Sequence, residues 1–141
     1  CIRDRIERAE TMGRRLLDGL SALRERHDMI ADVRGKGLMI AIEFGPSQAL
    51  RLRAAWALCE TAQKGLFAQL VVMALMRDHR ILTQVGGPEV NIIKLLPPLI
   101  IGEEEVEAIV GAFATIMEEA TRVRGRVWIQ GVHLAKHAAS Q

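Results

Sequence analysis

The sequence is poor in aromatic residues, and its charges nearly balance. It has no tyrosine, three phenylalanines and two tryptophans among 141 residues, and its formal net charge is +2. Proteins that bind single-stranded nucleic acid stack the bases on aromatic side chains in a basic groove, and this composition offers neither property. We therefore expect no nucleic-acid partner, and the small net charge argues equally against binding to an anionic membrane surface.

Cysteines, long apolar runs and a secretory signal are also scarce or missing. The longest apolar stretch, Gly65 to Met76, is interrupted by Gln69 and is shorter than the roughly 20 residues of a membrane-spanning helix. Cys1 and Cys59 are too few for a disulfide framework, and the charged opening segment is not a signal peptide. We therefore expect a soluble, cytoplasmic protein. Because the chain begins with cysteine inside a helical pattern, we also expect a fragment of something longer.

Motifs for metal or phosphate chemistry are lacking as well. The sequence has no glycine-rich phosphate loop with a lysine and a hydroxyl, and its four histidines have no cysteine or carboxylate partners at metal-ligand spacing. His133 and His137 are four residues apart, but the surrounding segment has no apolar pattern. We expect a solvated tail there and no metal site.

What the sequence does contain is an alternation of helical and extended patterns. Apolar residues at spacings of three and four predict amphipathic helices, whereas short apolar runs bounded by glycine and proline predict strands. The strand at 38–44 is almost continuously apolar, so we expect it to be buried on both faces. The predicted order is a helix from residue 2 that stops near 27–28, an extended lead-in and strand over 29–44, helices over 48–64 and 67–78, strands over 81–85 and 90–96, a helix over 102–120, and a loose tail over 121–141.

This order indicates the fold class. A helix-strand-helix-strand-strand-helix sequence favours an α/β or α+β fold, in which helices cover one face of a small, mostly antiparallel sheet. Gly86, Gly87 and Pro88 predict the turn that makes the last two strands antiparallel.

Three polar features interrupt the apolar strands and are the candidates for function. Lys94 lies between Ile93 and Leu95, so we expect it either to point into a polar cavity, where it would bind a carboxylate or phosphate, or to lie on the solvent face of an edge strand. Glu43 needs a partner if it is buried, and otherwise lies at the wet end of its strand. The basic turn 34–37 either holds a phosphate through backbone N–H groups or simply allows a tight approach to the strand. These residues form no complete catalytic set.

Three stretches resemble the C-terminal small domain of class III aminotransferases, which are fold type I enzymes that use pyridoxal phosphate (PLP). Residues 32–43, DVRGKGLMIAIE, are similar to the family's VRG-x-GLM strand, and residues 91–105, NIIKLLPPLIIGEEE, are similar to its LRLLPPL-x-I-x-EEE segment. Gly65 stands where the family's helix ends before the next strand. The first helix matches the helix that links the family's large domain to its small one, so the resemblance spans residues 2–120.

The resemblance implies a transaminase, in which PLP carries an amino group from a small-molecule donor to a 2-oxo acid. It also implies a homodimer, and a division into a linking helix (1–28), a small domain (29–120) and a C-terminal tail (121–141), with the catalytic large domain absent. The Schiff-base lysine, the aspartate that faces the ring nitrogen and most of the phosphate cradle belong to that large domain. No catalytic and no cofactor-binding residue is therefore expected in this chain.

Lys94 is the position at which the sequence departs from the family. Many members have arginine there, which pairs with the α-carboxylate of the substrate, whereas lysine keeps the charge but loses the bidentate fork. The resemblance implies a substrate-binding role for Lys94 and favours an ω-amino acid, a diamine such as putrescine or a substrate held elsewhere. Two other possibilities stay open: a non-catalytic remnant that works as an interaction module, and the small domain of another fold type I enzyme, such as an aminomutase or a decarboxylase.

Overall fold

Helices and short strands alternate along the chain in the computed structural model, which describes residues 2–87, 90–122 and 125–140. The elements are α1 (Ile2–Arg26), β1 (Ile30–Lys36), β2 (Met39–Phe44), α2 (Leu50–Ala62), α3 (Leu66–His79), β3 (Gln84–Val85), β4 (Ile92–Leu95), α4 (Glu103–Ala120) and α5 (Arg126–Ala139). Within the described ranges, no helix combines the length and hydropathy needed to cross a membrane.

The four strands form one antiparallel sheet in the order β1-β2-β4-β3. β1 and β2 are joined by a tight hairpin in which Gly37 has a φ of 58°. The backbone N–H of Gly86 donates to the carbonyl of Ile92 at 2.6 Å, which closes the connection between β3 and β4. Pro88, the last residue of the predicted turn, lies outside the described residues. Helices packed on a small antiparallel sheet confirm the predicted fold class.

In the part of the chain that the structure describes, the helices cover one face of the sheet and leave the other open. In β2, Ile40, Ile42 and Phe44 are buried towards the helices, whereas Met39 on the other face is 67% exposed. α1 packs along β1 and against α4, and these helices supply much of the core. The expectation that residues 38–44 are buried on both faces is wrong, because no described element lies over the second face.

The extended lead-in before residue 38 is a complete strand, β1, paired with β2 along its length. A bulge shifts the register between Ile30 and Asp32. Ile30 is buried and Val33 packs partly against the core, so both side chains lie on the helix-covered face. In a regular strand, two residues three positions apart would have their side chains on opposite faces. The inserted residue, Ala31, restores both side chains to the helix-covered face.

The segment predicted to be a loose tail contains α5, so this part of the prediction is wrong. Val127 and Trp128 are buried, and the Trp128 ring lies 5.5 Å from the ring of Phe67 in α3. The indole Nε1 donates to the carbonyl of Ala120 at 2.7 Å, which ties the new helix to the end of α4. Val127 and Trp128 are the large buried residues among the described side chains of α5. The apolar residues from Val127 to Leu134 do form an amphipathic pattern, which the prediction missed.

Candidate functional site

The open face of the sheet, which the helices leave uncovered, carries Lys94 in a row of four paired residues. Ala41 in β2 pairs with Arg34 in β1 and with Lys94 in β4, and Lys94 pairs in turn with Gln84 in β3. Neighbouring strands are about 4.8 Å apart, so the backbones of Arg34 and Lys94 are separated by roughly 10 Å. The small side chain of Ala41 leaves space between the two cations.

Lys94 lies on the solvent face of an interior strand, an arrangement that differs from both sequence alternatives. Its neighbours Ile93 and Leu95 are 0% and 3% exposed and project towards the helices. Because side chains alternate along a strand, Lys94 must project to the open face. Its backbone is fixed by pairing on both sides, and its ammonium group has no ion-pair partner among the residues that the structure describes.

A shallow depression with a volume of about 340 Å³ surrounds Lys94. Its lining includes the row of paired residues together with Met39 and Leu96, which are 67% and 60% exposed. Small-molecule sites are typically concave, mostly apolar and supplied with a few polar groups that fix orientation. The depression therefore suits an anionic group that is attached to an aliphatic chain.

Arg34, the second cation of the row, is occupied by two carboxylates. Its Nη1 donates to Oδ2 of Asp32 at 2.9 Å and to Oε2 of Glu43 at 3.0 Å. The hydrogen bond from Arg34 is the main cause that lowers the pKa of Asp32, and the bonds to Asp32 and Glu43 raise the pKa of Arg34. The side chain of Glu43 is 44% exposed, so of the two sequence alternatives the buried one is wrong.

The predicted basic turn 34–37 is wrong in its extent, because residues 34–36 belong to β1 and the tip of the β1–β2 hairpin is formed by Gly37 and Leu38. Gly37 adopts the left-handed conformation that favours glycine. Gly13 in α1 lies so close to the tip that an added Cβ would clash with the carbonyl oxygen of Gly37. The left-handed backbone accounts for the glycine at position 37, and the close approach of the helix accounts for the glycine at position 13, both without a phosphate.

Two polar residues that sequence reasoning missed hold β4 in place. Asn91, just before the strand, accepts a hydrogen bond from the N–H of Ala68 in the first turn of α3, at 3.1 Å. Its side-chain Nδ2 donates to Oε1 of Glu60 in α2 at 2.6 Å, and the same oxygen accepts the N–H of Gly65 at 3.2 Å. This network caps α3 and anchors the strand that carries Lys94. Its members are far apart in the sequence, so no local pattern links them.

The histidines are dispersed over the helix layer. His27 is buried at the end of α1, and neither ring nitrogen has a hydrogen-bond partner in the described chain. Burial is the main cause that lowers its pKa, and the positive charge of Arg26 adds to the effect. His133 and His137 are exposed on α5. Across residues 2–87, 90–122 and 125–140, no three potential metal-binding side chains cluster closely enough to hold an ion.

Comparison with known proteins identifies the family. The family model described as aminotransferase class-III matches residues 3–117, which is most of the chain. The chain belongs to the class III aminotransferase family. The predicted recognition is thereby confirmed, and PLP is the cofactor of this family.

Several class III proteins match the chain over most of its length. The 4-aminobutyrate aminotransferase of Mycobacterium bovis is 40% identical over 99 residues, which are 70% of this chain and 19% of the relative. Ethanolamine-phosphate phospho-lyase homolog 1 of Caenorhabditis elegans is 30% identical over 112 residues, 79% of this chain and 22% of the relative. The omega transaminase of Pseudomonas jessenii, crystallised in complex with PMP, matches with a TM-score of 0.63 at 26% identity, over 84% of this chain and 24% of that one. The chain thus spans about a fifth of the length of its curated relatives.

The open face of the sheet does not by itself fit PLP. A PLP site needs a lysine for the Schiff base, a group facing the pyridinium nitrogen and donors for the phosphate. The described open face offers the ammonium of Lys94, but Asp32 and Glu43 are already engaged by Arg34. The hairpin tip is packed against α1. The described residues of the open face therefore do not enclose a cofactor.

Proposed function

We propose that this chain is the C-terminal small-domain part of a PLP-dependent aminotransferase that moves an amino group from an amino acid or a diamine to a 2-oxo acid. The observation that carries the proposal is the free ammonium group of Lys94 on the open sheet face of a class III chain. PLP supplies the electron sink for amino transfer, and residues outside this chain hold it. In this proposal residues 1–28 link to the large domain and 29–120 form the small domain.

A second surface supports the presence of further polypeptide. Ile2 and Ile6 in α1 are 75% and 56% exposed, and Leu99 in the loop after β4 is 55% exposed. Together with Lys36 at the end of β1 and Gly37 at the hairpin tip they line a depression of about 390 Å³, most of whose surface is apolar. These exposed apolar side chains are available for contact with further polypeptide. In the proposed enzyme it packs against the large domain or against the second subunit of a homodimer.

Lys94 binds the carboxylate of the substrate in this account. An ammonium group acts as a point charge with three donors, so it holds a carboxylate without the fixed orientation that an arginine fork imposes. The apolar floor around it accommodates the aliphatic part of an ω-amino acid, and the relative named for 4-aminobutyrate supports this class of substrate. The same ammonium group binds the carboxylate of the 2-oxo acid.

The phospho-lyase relative makes elimination of phosphate a second candidate function. The charges of the open face favour the aminotransferase. Arg34 is held by Asp32 and Glu43, so Lys94 is the cation without an ion pair in the row of four paired residues that the structure describes. A carboxylate carries one negative charge, whereas a phosphate monoester carries nearly two at neutral pH.

The decisive experiment uses the full-length protein that contains this chain, loaded with PLP. Lys94→Gln should raise the KM for a carboxylate-bearing donor and for the 2-oxo acid about ten-fold or more, because a hydrogen bond to a charged group contributes about 1.5–3 kcal/mol. The KM for a matched amine that lacks the carboxylate should not change. Lys136→Gln, which removes an exposed lysine of α5 in the helix layer, is the control and should leave all constants unchanged.

Two outcomes would contradict the proposal. Unchanged constants for every accepted substrate in the Lys94→Gln protein would remove Lys94 from the substrate site. Absence of amino transfer by the PLP-loaded wild-type protein, with any amino acid or diamine, would favour the interaction-module alternative. Release of phosphate or of carbon dioxide from the donor would instead indicate a lyase or a decarboxylase.

A further inference from the structure

Glu43 is a potential competitor for Lys94 on the open face. Its register partner in β4 is Ile92, two residues before Lys94, so Glu43 and Lys94 are diagonal neighbours on adjacent strands. Residues in this relation have Cα atoms about 7–8 Å apart, a distance that two long side chains can bridge. An ion pair between them would occupy the ammonium group that the proposed function requires for the substrate.

The structure shows why this pair does not form. The carboxylate of Glu43 is turned to the opposite side, where its Oε2 accepts a hydrogen bond from Nη1 of Arg34 at 3.0 Å. The same nitrogen binds Asp32 at 2.9 Å, so one guanidinium group holds both carboxylates of this end of the sheet. The Nη1 group of Arg34 carries two N–H donors, one for each carboxylate, and the planar guanidinium fixes their directions, so Glu43 is held on the β1 side of β2.

We propose that Arg34 is a positioning residue that determines specificity: by holding Glu43, it keeps Lys94 free to bind the carboxylate of the substrate. This inference rests on the proposed substrate-binding role of Lys94. It assigns to Arg34 no contact with the substrate. Arg34 acts on Lys94 entirely through Glu43. An experiment that removes Glu43 can therefore separate this role from a general effect of the positive charge of Arg34.

Asp32 supplies the matched control for Glu43. Both residues are carboxylates that bind the same nitrogen of Arg34. Asp32, however, lies in β1, two strands away from Lys94, and it has a second partner in Arg24, whose Nη1 is 3.3 Å from Oδ1. Loss of Arg34 therefore releases Glu43 towards Lys94, whereas Asp32 remains held by Arg24.

The experiment compares KM and kcat for a carboxylate-bearing substrate in four variants of the full-length PLP-loaded protein. Arg34→Gln should raise KM about two- to five-fold, the range that exposed ion pairs produce, with kcat unchanged. Adding Glu43→Gln to this variant should restore the wild-type KM, because the competitor is removed. Adding Asp32→Asn should not restore it, although it removes the same charge. Glu43→Gln alone should have little effect.

A crystal structure of the Arg34→Gln protein gives an independent readout, in which the Glu43 carboxylate should lie within about 4 Å of the Lys94 ammonium. Equal rescue by Glu43→Gln and Asp32→Asn would show a general charge effect and overturn the inference. An unchanged KM in the Arg34→Gln protein would also overturn it. If Lys94→Gln changes no KM, the proposed substrate-binding role of Lys94 fails. This result is distinct from a failure of the Arg34 inference alone, in which Lys94→Gln raises KM but Arg34→Gln does not.

Discussion

Replacing Trp128 by alanine tests whether α5 is an integral part of the fold. The indole is 5% exposed, lies 5.5 Å from the Phe67 ring, and donates its N–H to the carbonyl of Ala120 at 2.7 Å. Truncation of a buried tryptophan to alanine costs about 3–5 kcal/mol of unfolding free energy. For a chain of 141 residues, the entropy of unfolding converts this loss into a Tm that is lower by roughly 10–17 °C.

Urea unfolding of the 141-residue chain, followed by circular dichroism, measures this loss. Trp128→Phe keeps a ring against Phe67 but leaves the Ala120 carbonyl without the indole N–H, so it should cost about 1–3 kcal/mol. Ile129→Ala is the matched control, since Ile129 follows Trp128 in the same helix and is 51% exposed; it should change stability by no more than about 0.5 kcal/mol. Equal effects of Trp128→Ala and Ile129→Ala would mean that α5 does not pack as described, and the reasoning would be refuted.

The remaining predictions concern two glycines and a histidine. Gly13→Ala should destabilise the chain by about 1–3 kcal/mol in urea unfolding, because its Cβ would clash with the Gly37 carbonyl. Gly111→Ala in α4, where nothing lies near an added Cβ, should stabilise the chain by up to about 1 kcal/mol. If Gly13→Ala were the stabilising variant and Gly111→Ala the destabilising one, the packing of α1 on the hairpin would be contradicted. The pKa of His27 in the folded state is lowered from 6.5, chiefly by burial, so below about pH 6.5 the unfolded state binds more protons than the folded state. The free energy of unfolding should therefore be at its full value above about pH 6.5 and should fall as the pH drops below it. His27→Leu should reduce this pH dependence, and an identical pH profile for the two proteins would exclude His27 as its source.

The sequence predicted the fold well where its patterns are local. The helices α1 and α4 have long amphipathic repeats, and the double proline after β4 marks the end of that strand. Family motifs around residues 32–43 and 91–105 identified the class III aminotransferase correctly, and the family match over residues 3–117 confirms it. These features depend on spacing within one element, which a sequence displays directly.

Features that depend on contacts between distant elements were missed. The apolar run at 38–44 does not reveal that only one face of β2 is covered, because the missing layer is a property of the whole fold. The burial of the first turn of α5 depends on contacts of Trp128 with Phe67 and Ala120, which belong to other helices. The exposed position of Lys94 follows from strand alternation, but its interior place in the sheet follows from the order β1-β2-β4-β3.

The central claim is that the full-length protein containing this chain transfers amino groups. A single-turnover experiment tests it most directly: the PLP-loaded protein is mixed with a carboxylate-bearing amino donor in the absence of any 2-oxo acid, and products are quantified. The account predicts one equivalent of oxo product per bound cofactor, after which the reaction stops until a 2-oxo acid is added. Continued turnover without an acceptor, with release of phosphate or carbon dioxide, would contradict it.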